Sequence, residues 1–295
     1  MAPSTDVHDA VRCIADVRAN VGEGPVWVER EQALYWVDNK GNRIFRLREE
    51  GEVETFGTPF QVCCIAPRES GGFIAGTDRG FVAVDLDAGV YETIVNPEDA
   101  IPGNRFNDGK TDHKGRFWSG TMDNAERQTS GSLYRLDPDL SWIRMDGGYH
   151  VTNGPAFDPL RKRMYHTDSA PRTIFVFDLS DEGSATNRRV FVQFGEKDGH
   201  PDGMTVDTGG NLWVCFWDGW CIRRISPDGE IIRKIQMPVQ RPTSCCFGGP
   251  DLDRFYVTSA SRGIDADALA MQPCAGGLFL VETGAHGIAQ VPFAG

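Results

Sequence analysis

Six segments of the sequence share a pattern in which a small or polar pair precedes an apolar, strand-like run, as in "EGPVWV", "DGKTD", "NGPAF" and "DGMTV". Oxygen-bearing side chains dominate the position that opens these segments. Its occupants in chain order are Glu23, Cys63, Asp108, Asn153, Asp202 and Ser244. A single Asp beside a Gly is often only a turn residue. Carboxylates and an amide that recur at one repeated position indicate a shared chemical task instead.

Carboxylates brought to one place repel each other unless they are protonated or neutralised by a cation. A donor set made of oxygen atoms suits hard divalent ions better than soft ones. We therefore expect the side chains at this position to hold one divalent metal ion. The identity of the ion stays open between Ca²⁺, Zn²⁺, Mn²⁺, Mg²⁺ and Fe²⁺.

A strand-like phrase that recurs six times predicts how these residues are positioned. Its copies begin at residues 33, 72, 116, 163, 211 and 254, which is a spacing of 39 to 48 residues. Neighbouring runs with period-2 patterning and turn signals extend each unit to about four strands. Units of this length predict an all-β fold, a six-bladed β-propeller with four antiparallel strands per blade. A pair of β-sandwiches would not produce six similar units.

The predicted propeller brings the repeated positions to one axis, because the first strand of each blade lines the central channel. The start of the first strand and the end of the second strand then lie on the same face. Long connections such as "SGTMDNAERQTSG" and "ASRGIDADALAMQPCAGG" are predicted on that face. Loops on a rigid scaffold commonly carry binding residues, so we expect the functional site there.

Composition limits the class of partner and the domain organisation. The chain has 295 residues and a formal net charge of −12, which argues against nucleic acid or an anionic membrane as a partner. We find no secretory signal and no apolar span, and the eight cysteines form no CxxC pair, so free thiols in the cytoplasm are expected.

We expect a flexible N-terminus over residues 1–10 and one propeller domain over residues 11–295, with residues 11–17 completing the last blade. The oligomeric state stays open.

Several segments resemble the gluconolactonase/regucalcin (senescence marker protein) family. The resemblance runs from about Gly22 to the end of the sequence, in order and with ordinary spacing. The segments that carry it are "GEGPVW", "NRFNDGKTD…GRFWSGTM", "TNGPAFDP…MYHTD", "HPDGMTVD…GNLWV" and "TSCCFGGPDLDRFYVTSA". It implies a six-bladed propeller with one divalent metal ion, in a family whose characterised members mostly hydrolyse sugar lactones.

The resemblance also implies roles for individual residues. Glu23, Asn153 and Asp202 would bind the metal ion, and Asp202 would also act as the general base. The expected activity is metal-dependent hydrolysis of a sugar lactone to the corresponding sugar acid, which is a carboxylic-ester hydrolase reaction. A metal ion in such a reaction polarises the carbonyl group and lowers the pKa of bound water.

Substrate contacts are implied for a second group of residues. Arg105 and Asn107 in "NRFND" would bind substrate oxygens, whereas the repeat register alone points to Asp108, which we expect to support the ligands from beside them. In the animal proteins of the family a glutamate after "GTM" contacts the substrate. The matching place here reads "DNAER", so we expect Asp123 or Glu126 to replace it.

One further residue and two other functions stay open. His200 lies beside the loop of Asp202 and is expected either to support the site or to contact a ligand. The chain could be a calcium-binding regulatory propeller without catalysis, or a metal-dependent esterase or organophosphate hydrolase. A pocket rich in Arg and Asn would favour a polyol, and an apolar pocket would favour aryl esters. Trp217, Trp220 and Phe106 leave that choice open, and the sequence does not identify the sugar.

Overall fold

In a computed structural model, which describes residues 11–48 and 51–295, the chain folds into six antiparallel sheets of four strands each. The first strands of neighbouring sheets contact each other in a complete ring, so the sheets are the blades of a propeller. The predicted six-bladed propeller is therefore confirmed. The N-terminus over residues 1–10, predicted to be flexible, lies outside the described residues.

Strands account for nearly all regular structure in the described chain. The first strand, β1 (Val11–Ala15), belongs to the last blade. The strands of the first three blades are β2 (Gly22–Val28), β3 (Ala33–Asp38), β4 (Arg43–Arg48), β5 (Glu54–Gly57), β6 (Val62–Pro67), β7 (Phe73–Thr77), β8 (Gly80–Asp85), β9 (Val90–Val95), β10 (Asn104–Thr111), β11 (Phe117–Asp123), β12 (Gly131–Leu136) and β13 (Trp142–Tyr149). Those of the other three blades are β14 (Thr152–Asp158), β15 (Arg163–Asp168), β16 (Thr173–Leu179), β17 (Ala185–Gln193), β18 (His200–Val206), β19 (Leu212–Trp217), β20 (Cys221–Ile225), β21 (Ile231–Gln236), β22 (Pro242–Gly248), β23 (Arg254–Ser259) and β24 (Leu278–Val281). The helical elements are α1 (Ala266–Ala270) and two short 3₁₀ turns, Glu29–Glu31 and Glu196–Asp198.

The core lies between the faces of neighbouring blades. Inner strands such as β3 and β6 are buried at every position, because both of their faces pack against another sheet. The outermost strand β17 is mostly exposed. This difference explains why the inner strands appear in the sequence as continuous apolar runs while the outer ones alternate or are polar.

The last blade combines the two ends of the described chain. Its order is β1–β24–β23–β22, with Val11 opposite Val281 and Cys13 opposite Phe279. The prediction that residues near Val11 complete this blade is confirmed. The pairing closes the ring of blades through main-chain hydrogen bonds instead of leaving an open sheet edge.

The segment after β24 crosses the end of the channel where the first strands finish. Gly287 forms a bridge with Asp207 at the end of β18. Further along, Arg68 Nε donates a hydrogen bond to the carbonyl oxygen of Gly295 at 2.9 Å, and the fully buried Phe293 packs between the second and third blades. This segment covers the far end of the channel, so the long loops surround the other end.

Buried aspartates at repeated positions join neighbouring strands within a blade. Asp207, which is 1% exposed, accepts hydrogen bonds from Trp213 Nε1 at 2.9 Å and from Arg224 Nη2 at 2.6 Å. Asp112 has the same spacing to Trp118, whose Nε1 donates to it at 2.9 Å. Each carboxylate satisfies a buried indole N–H that would otherwise have no acceptor.

We expect Asp207→Ala to lower the free energy of unfolding by about 3 kcal/mol, because the change leaves a buried indole N–H and a guanidinium without their acceptor. Urea denaturation followed by fluorescence measures the change. The exposed Asp228 in the same blade provides the control, and Asp228→Ala should change the unfolding free energy by less than about 0.5 kcal/mol. Equal effects of the two substitutions would contradict the anchoring role.

Candidate active site

A cavity of about 390 Å³ opens at the end of the channel where the first strands begin. Residues from five of the six blades line it, and the second blade contributes none. Of the residues singled out from the sequence, the following line the cavity: Glu23, Arg105, Asn107, Glu126, Asn153, His200, Asp202 and Trp217. The volume lies in the range of small-molecule sites.

Each first strand departs from regular pairing at its entrance to the channel. The pairing of the first strand with its neighbour skips between Glu23 and Val26, Val62 and Cys64, Phe106 and Gly109, Asn153 and Ala156, Pro201 and Met204, and Pro242 and Cys245. The repeated position falls within or at the edge of every skip. Irregularities of this kind redirect side chains and are frequent beside active sites, which explains why these residues face the axis.

Gly203, beside Asp202, allows two blades to approach each other closely. A Cβ atom at this position would lie 2.1 Å from the hydroxyl oxygen of Ser244 in the next first strand. Because real Cβ atoms do not make contacts this short, a larger residue would push the fifth and sixth blades apart. The close packing of these two blades therefore requires a glycine at position 203, directly beside Asp202.

Three buried carboxylates interact electrostatically at the cavity floor. Glu23, Asp108 and Asp202 are 7%, 7% and 6% exposed. Burial, followed by repulsion from Asp202 and Asp108, holds the pKa of Glu23 well above its ordinary value. Burial and repulsion from Asp108 hold the pKa of Asp202 well above its ordinary value. Arg105 attracts Glu23 and acts to lower its pKa, but burial and the repulsion between the carboxylates outweigh this attraction.

Asp108 lies behind the cavity lining and connects two blades. Its carboxylate accepts hydrogen bonds from the backbone N–H groups of Gly109 and Gly154, each at 2.8 Å. Burial raises the pKa of Asp108 even though these two bonds and Lys110 oppose the change. The repeat register pointed to Asp108, but within the same irregular segment its neighbour Asn107 is the residue that lines the cavity.

A chain of hydrogen bonds runs across the cavity between side chains of the third and fourth blades. Arg105 Nη1 donates to Asn107 Oδ1 at 2.7 Å, and Asn107 Nδ2 donates to Asn153 Oδ1 at 3.0 Å. Asn153 Nδ2 donates to Ser169 Oγ at 2.8 Å, which fixes the orientation of the amide. The amide oxygen of Asn153 consequently faces Asn107 and the cavity, where it can accept a hydrogen bond or coordinate a cation.

The loop that follows "GTM" brings only one of the two expected residues to the cavity. The structure does not bring Asp123 there, because its carboxylate accepts hydrogen bonds from the backbone N–H groups of Ala125 and Arg127 at 3.1 and 3.0 Å. These bonds lower the pKa of Asp123 and hold the turn. Glu126 lines the cavity, and Asn124 Oδ1 accepts from Arg105 Nε at 2.8 Å.

Histidines border the cavity on the side of the fourth and fifth blades. His200 Nδ1 lies 2.9 Å from the carbonyl oxygen of Ser169, and its Nε2 lies 3.3 Å from Arg172 Nη2. Because the guanidinium can only donate, Nε2 accepts and Nδ1 carries the proton. His150, which the sequence patterns did not indicate, also lines the cavity.

Basic residues around the cavity mouth had no motif in the sequence. Lys40, Arg241 and Arg262 line the cavity from the first and last blades. Arg241 donates to Asp218 at 2.6 Å and lies 4.6 Å from the ring centre of Trp217. Lys40 follows the end of β3, the second strand of its blade. Because the predicted propeller places the end of each second strand on the face of the site, topology alone could have indicated Lys40 as a cavity residue.

The residues at the cavity floor fit a divalent cation. Glu23 and Asp202 are buried carboxylates with raised pKa values, and neither takes part in an ion pair among the described residues. Asn153 adds a neutral amide oxygen with a fixed orientation. No group of three or more His, Cys, Asp and Glu side chains in the described ranges is arranged to hold a metal ion, so a metal here would depend on the amide.

Comparison with known proteins agrees with this architecture. The family model for the SMP-30/Gluconolactonase/LRE-like region matches residues 21–261. The chain is 34% identical to 6-deoxy-6-sulfogluconolactonase of Pseudomonas putida, covering 98% of this chain and 100% of that protein. It is 36% identical to L-arabinolactonase of Azospirillum brasilense, covering 96% and 95%. The crystal structure of regucalcin from Agrobacterium tumefaciens, a calcium-binding protein, matches with a TM-score of 0.92 and 25% identity over 96% of this chain and 97% of that one. The chain belongs to the SMP-30/gluconolactonase family.

Proposed function

We propose that this protein hydrolyses a sugar lactone to the corresponding sugar acid and that it is a metal-dependent carboxylic-ester hydrolase. The observation that carries the proposal is the meeting, in one cavity, of two buried carboxylates, an oriented amide oxygen and a hydrogen-bonded Arg–Asn pair. Two relatives are named as lactonases, one of a sulfogluconolactone and one of arabinolactone. These names support the same reaction class for this chain.

Glu23, Asn153 and Asp202 would hold one divalent ion, whose identity is left open between Ca²⁺, Zn²⁺, Mn²⁺, Mg²⁺ and Fe²⁺. When bound, such an ion polarises an ester carbonyl and lowers the pKa of water. The raised pKa values of Glu23 and Asp202 support this assignment. They arise first from burial and then from repulsion between the carboxylates, and a bound cation would offset both effects. The calcium-binding description of a structural relative supports a divalent ion as well.

Asp202 is proposed as the general base. A water molecule adds to the carbonyl carbon of the lactone while the carboxylate accepts one of its protons. The bond between the carbonyl carbon and the ring oxygen then breaks, and the ring oxygen takes up a proton to become a hydroxyl group. The products are the open-chain hydroxyl and a carboxylic acid, so one water molecule is consumed for each ring opened.

Arg105 and Asn107 would orient the sugar. Both line the cavity beside Asn153, and both present hydrogen-bonding groups that match ring hydroxyls. Holding the lactone in one orientation contributes to the rate by keeping the carbonyl carbon near the base. Asp108 would position the blades around these residues through its bonds to Gly109 and Gly154.

The polar character of the cavity favours a polyol over an aryl ester. Its lining contains several charged and amide side chains from different blades, with Trp217 and Met122 as the large apolar members. An esterase or organophosphate hydrolase of aryl substrates would need a larger apolar surface. Measured hydrolysis of a lactone would distinguish the proposed enzyme from a regulatory propeller that only binds calcium.

A cytoplasmic location is also proposed. All eight cysteines are free thiols, as expected from the sequence, and free thiols persist in a reducing compartment. No helix within the described ranges has the length and apolar character needed to cross a membrane.

We expect Asp202→Asn to lower kcat/KM for a sugar lactone by about a thousandfold, because the amide cannot accept the proton from water. A pH-indicator assay over a panel of aldonolactones measures turnover. Asp228→Asn, in an exposed turn of the same blade, should retain wild-type kinetics. Near-wild-type kcat for Asp202→Asn would contradict its roles as base and as ligand.

Metal removal should abolish the activity. We expect dialysis against a chelator to eliminate lactone hydrolysis, and addition of a suitable divalent ion from the five candidates to restore it, because the carboxylates would hold the ion that activates the carbonyl. Elemental analysis of each sample measures the metal content. Full activity in a sample shown to be free of metal would overturn the metal dependence.

In the metal-free protein, we expect Asp202→Asn to raise the melting temperature. The folded-state pKa of Asp202 is raised above its ordinary value of 3.8, so its stabilising contribution is complete below that value and is lost as the pH rises through the folded pKa. The advantage of the variant should therefore grow with pH above 3.8. Thermal denaturation in chelator across this range tests it, and a variant less stable than wild type near neutral pH would contradict the buried repulsion.

A further inference from the structure

Two cations at one side of the cavity, Lys40 and Arg105, share neutral amide acceptors. One is Asn124 Oδ1, and the other is the amide oxygen of Gln61, which lies 3.2 Å from Lys40 Nζ and 3.3 Å from Arg105 Nε in the orientation that satisfies its hydrogen bonds. Lys40 Nζ donates to Asn124 Oδ1 at 2.7 Å, and Arg105 Nε donates to the same oxygen atom at 2.8 Å. The two positive groups come from different blades and both line the cavity. An amide oxygen accepts their hydrogen bonds but does not neutralise their charge.

The positive charge of this pair is not balanced by a contacting carboxylate. Among the described residues, neither Lys40 nor Arg105 takes part in an ion pair, whereas Arg241 at the same mouth is paired with Asp218. Burial, followed by repulsion from Arg105, lowers the pKa of Lys40 to about 8, and the more distant Arg262 acts in the same direction. Glu126 attracts the ammonium group, but it is exposed and makes no contact of this kind.

The cation pair lies at a defined place relative to the proposed reaction centre. Arg105 donates to Asn107 with Nη1, and Asn107 donates to Asn153, one of the proposed metal ligands. With Nε the same guanidinium contacts Asn124, which also binds Lys40. A substrate that extends from the reaction centre past Arg105 would bring its far end to Lys40.

We propose that the preferred substrate is a lactone with an anionic group at the end remote from its carbonyl carbon, bound by Lys40 and Arg105. This inference rests on the proposed lactonase function and narrows it. Sulfonate, phosphate and carboxylate groups share the required chemistry, since each offers several acceptor oxygens and a negative charge to two donors. Arg262 at the mouth adds to the positive field that attracts such a substrate.

The substrate comparison uses pairs that differ in one group. We compare glucono-1,5-lactone with its 6-phosphate and its 6-deoxy-6-sulfonate, and glucono-1,4-lactone with glucaro-1,4-lactone, which has a carboxylate at the remote end. We expect kcat/KM to be about ten- to a hundredfold higher for at least one anionic lactone, in line with the strength of charge-assisted hydrogen bonds. Its KM should rise with salt concentration, while that of the neutral lactone should not.

Two substitutions test the cation pair. Asn124→Asp keeps the shape of the acceptor and supplies the missing negative charge, so it should lower the ratio of kcat/KM for the anionic lactone to that for the neutral one by about tenfold. Lys40→Met should lower this ratio to a similar extent because one donor is lost. Lys114→Met removes the same charge from an exposed turn at the far end of the channel and should leave the ratio unchanged.

Calorimetry with the acid products compares the binding of compounds with and without the remote anionic group, and it does not depend on turnover. We expect 6-phosphogluconate or its sulfonate analogue to bind more tightly than gluconate, and Lys40→Met to remove the difference. The inference would be wrong if the neutral lactone were hydrolysed at least as efficiently as its anionic counterparts and gluconate bound at least as tightly as 6-phosphogluconate. This outcome would leave the lactonase proposal intact. Absence of hydrolysis for every lactone, together with tighter binding of the anionic acids, would contradict the proposed function and support the anion site.

Discussion

The break in regular pairing at the entrance of every first strand is the constraint on which the site depends. A regular strand would place alternate side chains on its two faces, each packed against a neighbouring blade. The irregular segment turns a side chain toward the axis while the strand continues into the core. Repetition of this break around the ring brings Glu23, Asn153 and Asp202 together from three blades, although 49 or more residues separate them in sequence.

Charge is distributed unequally between the floor of the cavity and its mouth. The floor gathers buried carboxylates that repel each other, and the mouth carries Lys40 and Arg262. Arg105 and Asn107 connect the two regions by hydrogen bonds. This separation suits a reaction in which one end of a molecule needs a cation beside it and the other end needs an orienting contact. The overall negative charge of the chain does not reveal either region.

The sequence allowed the fold and most of the site to be predicted because the repeats were visible. Six copies of one strand phrase led to the six blades, and alignment of the copies led to Glu23, Asn153 and Asp202 at the axis. The register was one residue off at Asp108, because the irregular segment of that blade carries Asn107 into the cavity instead. Asp123 could not be placed from the sequence, since a turn that engages its carboxylate with backbone N–H groups depends on local geometry. Lys40 and Arg262 belong to loops with no repeated pattern, and only the assembled ring brings them to the mouth.

The pairing of β1 with β24 has a consequence for folding during synthesis of the chain. The first strand that the structure describes pairs with a strand more than 260 residues further along the chain, so the ring can close only after the last blade has been synthesised. Glu23 lies in the first blade and Asp202 in the fifth, so their carboxylates meet at the axis only when the ring forms. The energetic cost of bringing these buried carboxylates together therefore belongs to the closure of the ring and not to the folding of any single blade.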